Sequence, residues 1–511
     1  MHTEPHSSAN RIPLRWPTIH IGQIWIVAGV VLIWLFLSLT PLPPNDLWWH
    51  MAAGRLMVDE GRLIDENYWA FSLPADAPYV YQSWLSELAL FWAWQIAAVP
   101  GLALARLLAI CLSFGGVAWY AARRCGHWPA ATLALLVAAL ISWNNWTLRP
   151  QTLALLPGAA LILVLLAYVG GQARARWLLT LPLIMAIWVN MHGSFVLGAA
   201  LVACAWLGTA SMALRGDGAS RKRLPALTLA ALASGVAILI NPYGIGIVPY
   251  LRMMMTNSTL HAQFIEWLPP QITYDPSSSD FWFFVVVLGL AFLCAIGPRR
   301  ASLVDLLWYV VLSWLGFSGI RYAIWFALAL IPLLADQLAQ LLPAPSASNG
   351  NQAIHHGLLA ALGLVVVLTL PWFHPASLLG NPRIFAASGP DRWLLATNTP
   401  VEAARWLADH PIPGPVWIDM NFSSYTMWAA PAERHLADLR VELFPPTVWQ
   451  DFFTIATGDA QSMATIRRLG ITHLMLDPQA QNSLYRNLKA TPGWCEVYHD
   501  EVAAIIAHCN H

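Results

Sequence analysis

The chain alternates long apolar runs with short polar breaks. A helix of about 20 mostly apolar residues crosses a bilayer. Runs of that kind fall at 22–41, 103–122, 128–146, 151–169, 177–190, 194–213, 225–241, 281–298, 302–319, 322–341 and 355–373. They predict about eleven transmembrane helices. A further apolar stretch, 84–100, contains Glu87 and ends at Pro100-Gly101. No A-x-A cleavage pattern follows the first run, and that run is long for a signal-peptide core, so it is expected to remain as a span.

Beyond residue 373 the pattern changes. Val416–Asp419, Thr472–Leu476, Trp494–Tyr498 and Val502–Ala507 read as short strands rich in apolar and β-branched residues. Helical runs near 400–410 and 459–469 alternate with them. The expected fold is an α-helical polytopic membrane protein with a small extracytoplasmic α/β domain. Residues 1–21 form a cytoplasmic segment, 22–373 the transmembrane domain with a first outer loop at 42–102, and 374–511 the α/β domain.

Composition narrows the class. The chain is 58% apolar and 11% charged, where a soluble domain is about a quarter charged. That excludes soluble enzymes, disordered scaffolds and coiled coils. Twenty-seven basic residues balance 27 acidic ones, so no basic excess exists to neutralise a nucleic-acid backbone. Basic residues also set the orientation. With 84–100 lying on the membrane surface as an amphipathic helix and the N-terminus inside, twelve Lys/Arg fall in inner loops: Arg11, Arg15, the pairs at 123–124 and 299–300, and the clusters at 174–176 and 215–223. Six fall outside: Arg55, Arg62, Arg106, Arg149, Arg252 and Arg321. Counting 84–100 as a span reverses the bias.

On this topology the unusual polar residues share the outer face. Prolines at 41, 43 and 44 end the first span, and Asn45 or Asp46 can cap a new helix. Asp46 and His50 then lie four residues apart on one face. Asp46 reads either as an N-cap carboxylate or as a base at the membrane surface, and His50 as the partner that holds it. The tryptophans and tyrosines of 48–84 form an aromatic belt or flank a sugar ring. Cys495 and Cys509 lie on expected neighbouring strands in an oxidising compartment, where they can pair. No CxxC spacing occurs.

The segment D-L-W-W-H-x-x-x-G-R at 46–55 continues with Gly61-Arg62-Leu63, Phe71-Ser72 and Trp84-Leu85-Ser86-Glu87. Later come Arg149-Pro150-Gln151, Trp188-Val189-Asn190-Met191-His192-Gly193, Asn241-Pro242-Tyr243-Gly244, Glu266-Trp267 and Arg321. This series resembles bacterial GT-C class glycosyltransferases, relatives of the protein O-mannosyltransferases and the aminoarabinose transferases. The resemblance covers nearly the whole chain. It implies transfer of a sugar from a polyprenyl-phosphate donor to a glycan, lipid or protein acceptor outside the inner membrane. It makes Asp46 the catalytic base, with His50, Glu87, Arg149, Asn190, His192, Glu266 and Arg321 around the substrates.

Two departures stand out. Relatives often carry a second Asp near Phe-Ser, where this chain reads Asn67-Tyr68-Trp69-Ala70-Phe71-Ser72, and the common His-Glu before Trp-Leu is Gln82-Ser83, so a second acid is Asp65, Glu66 or Glu87, or is absent. A two-carboxylate metal site is therefore not expected, and no cofactor is. Asp438-Leu439-Arg440 looks like the family's Asp-x-Arg, either a structural ion pair or an acceptor contact. A flippase of lipid-linked saccharides, or a non-catalytic assembly subunit, are the alternative readings.

Overall fold

A computed structural model describes residues 18–256, 265–344, 351–373 and 392–509. Arg11 and Arg15, and residues 374–391 at the start of the tail, lie outside these. The first run forms α1 (Ile21–Leu39), followed by α2 (Leu47–Glu60) and the long helical stretch α3 (Trp84–Cys125). Then come α4 (Trp128–Ser142), α5 (Pro150–Val169), α6 (Thr180–Met191), α7 (Phe195–Leu214), α8 (Gly218–Ala237) and α9 (Ile247–Thr256). The helical part closes with α10 (Ser279–Ile296), α11 (Leu303–Ser318), α12 (Ala323–Leu338) and α13 (Gln352–Leu368).

Every apolar run falls on a helix. Six helices, within 21–39, 84–125, 150–169, 195–214, 279–296 and 320–338, are long and apolar enough to cross a membrane. The other five runs lie on shorter helices or, for α8, on one whose start is Arg-rich. α12 is the centre: all residues from Ala323 to Ala335 are buried, as expected of a helix that is apolar all round. The outer helices turn Leu32, Leu112, Leu183 and Leu288 outward, each more than half exposed. That perimeter suits lipid and not water.

Residues 84–100 are distinct from the span that follows. Helical geometry breaks at Ala97 and at Ala98, whose φ is +48°, a region costly for a residue with a Cβ. Pro100 follows, and it disfavours helical backbone before it. The leading piece packs on α2 through a close crossing. A Cβ on Gly54 would stand 2.3 Å from the Glu87 carbonyl oxygen, so only glycine allows this approach.

The tail folds as the strand pattern predicts. β1 (Val416–Ile418), β2 (His473–Leu476), β3 (Trp494–His499) and β4 (Ala504–His508) form one sheet in the order β1-β2-β4-β3. β1 and β2 run parallel, and the other pairs antiparallel. Helices α14 (Val401–Asp409) and α17 (Ala460–Leu469) match the expected runs. Three more, α15 (Met420–Ala429), α16 (Pro446–Thr457) and α18 (Asn482–Ala490), were not foreseen. Cys495 opposes Ala507 across β3 and β4, which brings Cys495 and Cys509 into a disulfide.

The tail is stitched onto the first outer loop. Leu42 exchanges backbone hydrogen bonds with the Leu394–Ala396 segment, and Phe71 donates to the His435 carbonyl. Asp438 and Arg440 are fully buried. The Arg440 Nη2 donates to Asp438 Oδ2 at 2.7 Å, and Nη1 to the Tyr81 hydroxyl at 3.2 Å. His435 Nε2 is 2.8 Å from Asp438. This is a structural knot between tail and loop. Asn67 is part of it through a long contact to Arg440 of 3.5 Å.

Candidate active site

Asp46 is the residue just before α2, yet its carboxylate makes no capping bond. The tail does that work. The Ser424 hydroxyl of α15 accepts from the Trp49 N–H at 2.9 Å and donates to the Asn45 carbonyl at 2.6 Å. The capping role is thus filled from 375 residues away, and the Asp46 carboxylate is left for other contacts.

Its neighbour is Arg149. Pro150 occupies the first turn of α5, and Arg149 before it is extended, as the residue before proline prefers. The Arg149 Nη1 lies 3.6 Å from Asp46 Oδ2 and 2.7 Å from both Glu266 oxygens. Its Nε is buried without a partner. Arg321, in the turn before α12, lies over the Trp267 ring at 4.0 Å. No carboxylate among the described residues is within ion-pair distance of Arg321.

The Gly54 crossing sets His50 against Glu87, with Nδ1 2.8 Å from Oε1. His50 also stacks on Trp49 at 3.5 Å. It is thus held by Glu87 and not by Asp46, contrary to the expected pairing. At His192 the Ser194 N–H donates to Nδ1 at 3.1 Å, which assigns the proton of the neutral ring to Nε2. Burial keeps both histidines well below the usual imidazole range, helped by the Arg149 charge. Burial also pushes the Asp46 carboxyl up to about 6, with Arg149 pulling the other way. Its side chain is 31% exposed, and it lines a cavity. Glu266 is held below its ordinary value by Arg149 and Arg321, which outweigh its burial.

Asp46, His50, Glu87, Arg149, His192, Glu266 and Arg321 all line this one cavity, of about 830 Å³. Asn190 does not. Its amide is spent on the Trp84 N–H, at 2.8 Å, and on the Ala186 and Ile240 carbonyls, so it braces the outer loops. Gln151 and Glu87, both in the lining, each keep a buried side-chain oxygen without a hydrogen-bond partner. Such orphan groups are rare unless a ligand or water meets them. One wall is apolar, built from Val196, Leu197, Ala200, Val311, Trp314 and Leu315. Trp314 lines the cavity and is 68% exposed on the helical perimeter, so the cavity reaches the side of the bundle between α7 and α11. No group of three metal-ligating side chains occurs among the described residues.

Sequence reasoning missed the tail's share of the lining: Asn398, Met420, Asn421 and Glu442. It also missed Tyr250, whereas Tyr79 belongs to the loop aromatics expected in a belt or against a sugar ring. Only the position of Glu442, two residues past Asp-x-Arg, could have signalled it.

No protein family's sequence profile matches the chain, and no curated protein matches it by sequence. Solved structures do. The archaeal oligosaccharyltransferase AglB from Archaeoglobus fulgidus, in complex with an inhibitory peptide and a dolichol-phosphate, matches with a TM-score of 0.53 at 13% identity. That match covers 91% of this chain and 71% of AglB. ArnT from Cupriavidus metallidurans bound to undecaprenyl phosphate matches with a TM-score of 0.51 at 16% identity, over 95% of this chain and 98% of ArnT. At these identities the likeness is one of fold. It agrees with the fold that the sequence resemblance implies.

Proposed function

We propose that the chain is a polyprenyl-phosphate-sugar-dependent glycosyltransferase of the inner membrane. In this reading the chain has eleven spans with its N-terminus inside, the cavity opens on the extracytoplasmic side, and the acceptor is a glycan, lipid or protein there. One observation carries this reading: an uncapped Asp46 carboxylate shares a cavity with two arginines and an apolar wall that reaches the lipid-facing side. The solved relatives in fold hold undecaprenyl phosphate and dolichol-phosphate, and the same ligand chemistry suits this cavity.

The chemistry is a direct displacement. The polyprenyl chain lies along Val311, Trp314 and Leu315, and its phosphate meets Arg149 and Arg321. Asp46 takes the proton of the acceptor hydroxyl as that oxygen bonds to the anomeric carbon. The bond from the anomeric carbon to the phosphate oxygen breaks in the same step. The departing lipid phosphate carries its charge onto the arginines. His192, neutral with its proton on Nε2, supplies a further donor. His50 and Glu87 hold the floor of the site beneath Asp46.

The test is transfer in proteoliposomes from undecaprenyl-phosphate-linked sugars, read as released undecaprenyl phosphate. Asp46→Asn and Asp46→Ala should fold and insert normally but lose transfer. Full activity in either variant would overturn the assignment.

A further inference from the structure

The cavity has a second polar pole, away from the arginines. Glu442 stands in a short turn of the tail, Val441–Leu443. Its Oε1 accepts from the Tyr79 hydroxyl at 2.8 Å and from the Tyr250 hydroxyl at 3.4 Å. Both phenols address the same oxygen. No side chain among the described residues donates to Oε2, and no Arg or Lys among them lies within ion-pair distance of this carboxyl. Glu442, Tyr79 and Tyr250 all line the cavity.

The tail adds two carboxamides to the same wall, Asn398 and Asn421. Both residues are exposed. Their neighbours Met420 and Phe453, also in the lining, supply apolar surface between the polar groups. Amides, one carboxyl, phenols and apolar patches at short range match the alternating hydroxyls and C–H faces of a sugar. This wall lies on the tail side, whereas the apolar wall for a lipid is made by α7 and α11.

We infer that Glu442, with Asn398 and Asn421, forms an acceptor subsite for a neutral, hydroxyl-rich glycan, so that the C-terminal domain selects the acceptor. This rests on the glycosyltransferase reading above. A neutral ligand fits the charge as well as the shape. Burial pushes the Glu442 carboxyl above its ordinary range, and the two phenols that donate to Oε1 hold it in place as a hydrogen-bonding group with no cation among the described residues beside it. Glu442 also acts through space on Asp46, raising its proton affinity, which places the subsite within electrostatic reach of the base. Glu442 is thus a positioning residue for the acceptor.

The experiment uses the full chain in detergent, with two probes. The first is an array of immobilised neutral oligosaccharides, and the second is undecaprenyl phosphate measured by native mass spectrometry. Wild type should retain a subset of the neutral glycans. Glu442→Ala should lower that retention by about tenfold or more, the usual effect of deleting a buried hydrogen-bonding partner. Asn421→Ala sits on an exposed position and spares the fold. It should lower retention severalfold, as should Tyr250→Phe. All three should bind undecaprenyl phosphate like wild type. Unchanged glycan retention in Glu442→Ala and Asn421→Ala, capture of charged glycans only, or no capture by wild type would overturn the subsite. Failure of wild type to bind undecaprenyl phosphate would instead strike the glycosyltransferase reading.

Discussion

Two arginines at opposite ends of the bundle each meet two carboxylates, and they end up in different states. Arg124, at the end of α3, donates from Nη1 to Asp305 at 3.0 Å and from Nη2 to Asp305 at 2.5 Å. Its Nη2 also pairs with Asp336 at 2.9 Å. The Ser302 hydroxyl, 2.6 Å away, donates to Asp305 as well. This fork of contacts ties α3, α11 and α12 together. Arg149 uses one nitrogen on Glu266, leaves its Nε unpaired and stands 3.6 Å from Asp46. Residue type does not separate a brace from a site; saturation does. A buried ion pair with its bonds made is structural. One with bonds left open beside a cavity is prepared for a ligand.

The comparison can be broken in several ways, and the largest effect is expected at Asp46. Asp46→Asn should cut transfer by about 10²- to 10⁴-fold, the usual worth of a general base, with the thermal unfolding of the purified protein unchanged. Arg124→Ala should do the reverse. Leaving Asp305 and Asp336 buried and unpaired should cost about 3–5 kcal/mol of stability, seen as a lower unfolding temperature in detergent. The folded fraction should still bind undecaprenyl phosphate with wild-type affinity. Arg149→Gln should weaken that binding by about two powers of ten, in line with losing one partner of a buried charge contact, while stability changes little.

The pH profile gives a finer test. Asp46 must be ionised to accept a proton, so activity should fall as pH drops through about 6, tenfold for each further unit. Arg149 lowers that value and Glu442 raises it. The acid limb should therefore move to higher pH in Arg149→Gln and to lower pH in Glu442→Gln, each read on residual activity. Gly54→Ala acts on packing and not on charge. It pushes α2 from the Glu87 carbonyl, loosens the His50–Glu87 contact and should reduce transfer severalfold without abolishing it.

Much of this was legible in the chain. The apolar runs locate the helices because a lipid-facing helix must be apolar along its length. Glu87 and Pro100 mark 84–100 as separate, and the break at Ala97 and Ala98 is where the proline puts it. Short runs of apolar and β-branched residues locate the four strands. The ring of polar groups at span ends assembles into one cavity because unpaired polar groups at membrane depth are costly.

What stayed hidden depends on contacts between distant residues. Ser424 relieves Asp46 of capping, and nothing near Asp46 announces that. Glu442 meets Tyr79 across 363 residues. Asn190 looked like a site residue because polar groups at that depth usually are, yet its amide is used by a tryptophan and two carbonyls. Helix α15 escaped because Ser423, Ser424 and Thr426 are buried in it, so its inward face is not apolar and shows no helical stripe.

The most direct test of the central claim is the position of a bound donor phosphate, read from a cryo-electron-microscopy structure of the full chain with undecaprenyl phosphate. The phosphate should lie within hydrogen-bonding reach of Arg149 and Arg321, with its lipid along Trp314 and Leu315 and an open path to Asp46. A phosphate seated elsewhere, with the Arg149–Glu266 contact undisturbed and the cavity empty, would contradict the account.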